Sequence, residues 1–156
     1  MKKLWFLLLA LPLIGMMTSC DDDDKLPKVD ISLEYNNATV VDGSVYVVKP
    51  DTLEVASVKV TAVREGNKVT NGPVSYWLNG APIAVNPYAP FGVKIPTDKL
   101  AAGGYTLTME MTVAEEGCQL ATAVSQVKVY LVENASDIPE SSGGVTSQMD
   151  LVYTLK

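Results

Sequence analysis

The chain has 156 residues, 12 basic and 18 acidic side chains, a net charge of −6 and no histidine. Without histidine, triads and metal sites that depend on imidazole are excluded, and the acidic balance disfavours nucleic acid and anionic membrane surfaces as partners. At this length one domain is expected, with enough chain for a core that needs no disulfide staples.

Met1-Lys2-Lys3 is a short basic start, the apolar run Leu4 to Ile14 follows, and small residues lead up to Cys20. That order is the one a secretory signal peptide needs. The apolar run falls short of the roughly 20 residues of a membrane-spanning helix, and Pro12 interrupts it. Residues 1–19 are therefore expected to be a cleaved leader.

Thr18-Ser19-Cys20 resembles the lipobox of bacterial lipoproteins, with Met17 standing where leucine is usual. The resemblance implies cleavage ahead of Cys20 and acylation of that residue by palmitate-like chains, each buried CH₂ contributing about 0.8 kcal/mol to membrane anchoring. Removing these 19 residues with their two lysines leaves 137 residues, 10 basic and 18 acidic, near −8. Cys118 is then the only free thiol, and it reads as a small apolar residue in or beside a turn. Were Cys20 not acylated, a Cys20–Cys118 bridge would be open.

Asp21, Asp22, Asp23 and Asp24 follow directly. With Lys25 they also spell an enteropeptidase site, but the leader immediately upstream argues against an engineered tag. Consecutive carboxylates repel one another and lack the alternating ligand spacing of a Ca²⁺ loop, so they read first as a solvated tether over residues 20–27. The run also resembles the surface-export signal of lipoproteins of the Bacteroides type, whereas in other Gram-negative bacteria an aspartate after the cysteine resembles an inner-membrane retention signal. The export resemblance makes Asp21, Asp22, Asp23 and Asp24 the signal residues and implies an outer-membrane, lipid-anchored protein facing the cell exterior.

From Lys28 the pattern is strand after strand. Val29, Ile31, Leu33 and Tyr35 alternate with polar residues at the period of a half-buried strand. Thr39-Val40-Val41 and Ser44 to Val48 flank Asp42-Gly43, a two-residue hairpin turn. Leu53 and Val55 keep one phase and Val58, Val60 and Ala62 the other, which places a bulge near Ala56-Ser57. Arg64 to Lys68 reads as a loop that continues through Asn71-Gly72-Pro73 to a strand at Val74 to Leu78.

Asn79-Gly80 predicts a second hairpin, returning through an edge strand at Pro82 to Val85. Asn86-Pro87-Tyr88-Ala89-Pro90 is a rigid connection to an alternating run, Phe91, Val93 and Ile95. Leu100 to Gly104 turns the chain into Tyr105, Leu107, Met109, Met111 and Val113, the cleanest alternation present. Glu115-Glu116-Gly117 is expected to turn again with both carboxylates in water. Val127, Val129 and Leu131 close the series.

Short strands at such spacing, with turn chemistry between them, predict an all-β, antiparallel β-sandwich over 28–133. Tyr76-Trp77-Leu78-Asn79-Gly80, then Pro90-Phe91, then Leu100 with Gly103-Gly104-Tyr105 resemble the bacterial immunoglobulin-like domains of cell-surface proteins. The resemblance implies an immunoglobulin-like sandwich in which Tyr105 is the corner tyrosine bonding back to the preceding loop. Residues 134–156 read as a linker and one more strand at Met149 to Leu155, either an edge strand of the same domain or one donated to a neighbour.

No pair of acids is marked as held across a cleft, so no catalytic residue, cofactor or metal site is expected and the chain does not read as an enzyme. Trp77 and Tyr88 are the candidate glycan contacts, although alternation puts Tyr76 and Trp77 on opposite faces, so that one of them belongs to the core. Asp51-Thr52-Leu53 resembles a short O-glycosylation motif, with Thr52 as acceptor. The resulting expectation is a lipid-anchored, non-catalytic interaction or accessory module meeting a surface protein. The alternatives are a glycan-binding accessory and a subunit of a strand-exchanged surface assembly.

Overall fold

The computed structural model describes residues 26–140 and, as backbone, 152–155. Ten strands run in chain order: β1 Val29–Asn36, β2 Thr39–Val41, β3 Ser44–Val48, β4 Leu53–Ala62, β5 Val69–Leu78, β6 Ala81–Asn86, β7 Val93–Ile95, β8 Gly103–Glu115, β9 Ala121–Val132 and β10 Val152–Leu155. A 3₁₀ turn, Ala135–Asp137, follows β9.

Two sheets form. The smaller has the order β1-β4-β7; the larger runs β2-β3-β9-β8-β5-β6, with β10 also pairing β9. Strand alternation turns Val29, Ile31, Leu53, Val55, Val93 and Ile95 of one sheet toward Val74, Tyr76, Leu107, Met109, Met111 and Val129 of the other. Burying a Val, Leu, Ile or Met side chain is worth about 1.5–3 kcal/mol, so this shared interior is what holds the two layers together. The chain is an immunoglobulin-like β-sandwich.

The local chemistry expected at the turns is present. Asp42 (φ 45) and Gly43 (φ 77), like Asn79 (φ 49) and Gly80 (φ 79), are left-handed at both central positions, as a two-residue turn matched to strand twist requires. In β4 the register passes from Glu34↔Ser57 to Tyr35↔Val55, leaving Ala56 as the extra residue of a bulge. The Tyr105 hydroxyl donates to the Ala101 carbonyl at 2.9 Å. Tyr105→Phe should therefore lower stability by about 1 kcal/mol in urea unfolding.

Four features differ from the sequence reading. β5 starts at Val69 rather than Val74, because Gly72-Pro73 forms a bulge inside the strand between Asn71↔Val113 and Val74↔Met111. Proline is tolerated at such a bulge. Phe91 does not open a strand: its φ is 60 and β7 begins at Val93. β9 reaches back to Ala121. One pair is parallel, β3 with β9, in register Val45↔Val129 to Val48↔Val132.

Candidate functional site

The larger sheet ends at β6, where three of the exposed large apolar side chains fall within six residues; the others, Val40, Val63 and Leu120, are scattered. The sequence of β6 and its exit, Ala81-Pro82-Ile83-Ala84-Val85-Asn86-Pro87-Tyr88, carry no charge. Ile83, Val85 and Tyr88 are 39 %, 62 % and 81 % exposed. The outward faces of the sheets, by contrast, present Asp30, Glu34 and Lys59 on one side and Glu110, Gln126 and Lys128 on the other.

Backbone geometry decides how this edge can be used. The two-residue turn makes Leu78 and Ala81 the first hydrogen-bonded pair, so the next pair, Trp77↔Pro82, points its backbone groups away from the partner strand. Pro82 thus stands where an outward N–H would be. Ile83 is the extra residue of a bulge between Trp77↔Pro82 and Tyr76↔Ala84, and Pro87 comes two residues after Val85. Prolines and a bulge are the devices that block strand addition at an edge. β6 is closed to a neighbouring backbone and open through its side chains.

Beyond β6 the chain is pinned. Phe91 N–H donates to the Tyr88 carbonyl and Val58 N–H to the Pro90 carbonyl, both at 2.9 Å. The buried Tyr76 hydroxyl donates to the Phe91 carbonyl at 2.5 Å, and the Asn86 side-chain amide donates to the Gly92 carbonyl. Burial raises the pKa of Tyr76 above its ordinary value, so its hydroxyl stays a donor even in alkaline solution. Tyr88 is held out on a fixed support and does not swing on a free loop.

Two open clefts flank β6. One, of about 490 Å³, is bounded by Glu54, Ala84, Asn86, Tyr88, Phe91 and Lys94. The other, of about 570 Å³, lies between Leu78, Ile83, Ile95, Pro96 and Leu100, with Lys94 and Lys99 at its rim. Lys94 and Glu54 pair across the sheet at 3.2 Å. Together the clefts and β6 make one surface along the side of the sandwich where β6 faces β7.

The sequence candidates fall in different places. Tyr88 belongs to this surface. Trp77 is half-buried on the outer face of β5, paired with Thr108 and, at the far end of β6, with Pro82. Trp77 therefore lies beside the start of β6 and Tyr88 beyond its end. Tyr76 is the core member of the Tyr76-Trp77 pair, 1 % exposed. Thr52 is half-buried in the turn ahead of β4. Cys20, the expected lipidation site, and Asp21, Asp22, Asp23 and Asp24, the expected export signal, lie outside the described residues.

Sequence reasoning missed two aromatics that the fold brings together. Tyr46 of β3 and Tyr130 of β9 are register partners and stack at 5.1 Å between centroids, 19° from parallel. Each ring spends one face on the other, so this is a packed pair and not an open platform.

It also mistook Glu115. This carboxylate is not in water: it ends β8 with its side chain fully buried. Arg64 pairs with it at 2.6 Å, the Lys28 amide donates to Oε2 at 2.7 Å, and the Asn67 amide donates to Oε1 at 2.8 Å. Arg64 also donates to the Leu26 carbonyl. Burial pushes the pKa up, but the Lys28, Asn67 and Cys118 hydrogen bonds and the Arg64 charge outweigh it and hold the carboxyl below its ordinary value. The cluster ties the start of β1 to the β8–β9 turn. Cys118 sits against it, its thiol pushed up by burial and by Glu115, which makes it a poor nucleophile at neutral pH.

Among the described residues no group of three or more acidic or cysteine side chains is placed to hold a metal ion. No family model matches the chain, and no curated protein matches it. Among solved structures, the fibronectin(III)-like modules of Clostridium thermocellum CbhA are similar at 16 % identity over 65 % of this chain and 96 % of that one, with a TM-score of 0.34. At that score the likeness carries no argument, and the sandwich assignment rests on strand pairing alone.

Proposed function

We propose that this protein is a lipid-anchored, non-catalytic interaction module at the outer membrane, facing the cell exterior, whose β6 side docks on a partner protein. The observation that carries the docking reading is the exposed, uncharged run through Ile83, Val85 and Tyr88 on a rigid support. Val40, Val63 and Leu120 are exposed singly elsewhere, whereas a contiguous apolar strip is the kind of patch that marks an interaction site. The Asn86 side-chain amide, in the cleft beside Tyr88, already donates to the Gly92 carbonyl, and the exposed side chains of β6 itself, Ile83 and Val85, are apolar, which favours a protein surface over a sugar as the occupant. The anchor rests on the leader, the lipobox ending at Cys20 and the acidic run Asp21, Asp22, Asp23 and Asp24.

The two halves of the reading are tested separately. Cys20→Ala should abolish labelling by a fatty-acid analogue in cells; persistent labelling overturns the anchor. Ile83 and Val85 are both exposed, so the pair Ile83→Lys and Val85→Lys should leave the fold intact and change stability by about 1 kcal/mol at most. In mild detergent the native protein should migrate as part of a larger complex and the double variant as free protein. Equal migration of the two overturns the docking edge.

A further inference from the structure

A second edge of the same sheet has the opposite design. β8 pairs with β9 along one side, Gly103↔Leu131 to Val113↔Ala121. On the other side β3 covers Val129–Val132 and β10 covers Ala121–Val124, with Ser125 to Lys128 between the two ladders. The β9 segment that β10 covers, Ala-Thr-Ala-Val, has no charge, no proline and no bulge, the protections that let an edge strand stand alone. Ala121, Thr122 and Ala123 are buried in succession. This stretch of β9 is built to carry a strand on that side.

The strand it carries comes from the end of the chain over a long connection. β9 ends at Val132, and β10 must run back to Val124 to begin pairing, eight residues of strand or about 27 Å. The connection from Glu133 to Leu151 has nineteen residues, a reach of about 60 Å when extended. It is twice as long as closure within one molecule requires. The backbone hydrogen bonds between β10 and β9 are the same whichever copy supplies β10.

We propose that β10 is an exchangeable strand: when copies of this chain are crowded together, β10 of one copy leaves its own β9 and pairs antiparallel with β9 of another. The partner is therefore a second copy, recognised through the register Val152↔Val124 to Leu155↔Ala121. Within one molecule the tether supplies an effective concentration on the order of millimolar, so the closed form dominates in dilute solution. Crowding shifts the balance. Reciprocal exchange closes a dimer; one-way exchange extends into a chain of subunits. This inference is independent of the docking edge at β6, which lies at the other end of the sheet.

The test uses the full-length mature chain with Cys20 and Cys118 replaced by alanine. One variant carries Thr122→Cys and a second Thr154→Cys, residues directly opposite in the β9–β10 ladder; a third carries both. A short thiol crosslinker should join the two cysteines of the third variant internally at low concentration. Mixed single variants should give a covalent dimer whose share rises roughly ten-fold for each ten-fold rise in concentration while it remains the minor form. No mixed dimer up to millimolar concentration, with the internal crosslink intact, overturns exchange. Failure of the internal crosslink overturns the pairing itself.

Discussion

Gly92→Ala should be among the most damaging single substitutions in the domain, lowering stability by about 3 kcal/mol. The added methyl would run into the Val55 carbonyl oxygen and come within 2.8 Å of that of Ala56. Both are backbone atoms of the β4 bulge, so neither can rotate aside. The bulge, the Gly92 approach and the Tyr76 hydrogen bond to Phe91 form one assembly that joins the two sheets and supports Tyr88. Gly72→Ala is the matching control. Its methyl would meet only the Thr112 Cβ at 3.7 Å and the Thr112 carbonyl at 3.8 Å, ordinary contact, and urea midpoints should separate the two clearly. A Gly92→Ala protein as stable as Gly72→Ala would contradict the close approach.

Glu115→Ala is expected to cost about 2–4 kcal/mol. It leaves the Lys28 amide, the Asn67 amide and the Arg64 guanidinium without their shared acceptor. The figure stays below that of a fully buried pair because the Arg64 side chain keeps 28 % of its exposure. The same cluster fixes an acid limb in stability. Since the folded carboxyl lies below its ordinary value of 4.5, its contribution is complete above that pH and drains away as pH falls through the lowered folded value. Glu115→Gln should be less stable than the native protein at pH 7 and should lose this part of the acid dependence. Parallel pH profiles for the two proteins would refute the assignment.

The legible parts of the fold were those written locally. Asp42-Gly43 and Asn79-Gly80 announce their turns because only residues that tolerate positive φ fit both central positions. The change of phase between Val55 and Val58 gives away the bulge at Ala56, and the spacing of Leu100 and Tyr105 gives away the corner. What stayed hidden depended on distant partners. Nothing near Glu115 in sequence tells that Arg64, Asn67 and Lys28 converge on it. The first half of β9 has Ala121, Ala123 and Ser125 on its inner face, too small and too polar to show an apolar alternation, yet all are buried. The parallel β3–β9 pair joins segments some eighty residues apart and leaves no local trace.

The candidate surface was half legible. Tyr88 was singled out, with Trp77, as a candidate glycan contact, and it stands 81 % exposed beside β6. Pro82 marked this strand as a sheet edge, but alternation did not show that Ile83 and Val85 would stand exposed on it. The pairing of β6 with β5, and with nothing beyond it in the strand order among the described residues, bears out the edge. The docking role proposed for Ile83 and Val85 rests on that position together with the two prolines.

The most direct test places a photoreactive side chain at Val85 of the intact protein in cells and, for comparison, at Lys59 on the exposed face of β4. Illumination of cells should give one discrete adduct from position 85 and none from position 59. Equal adducts from both positions, or none from position 85, would contradict a partner bound along β6.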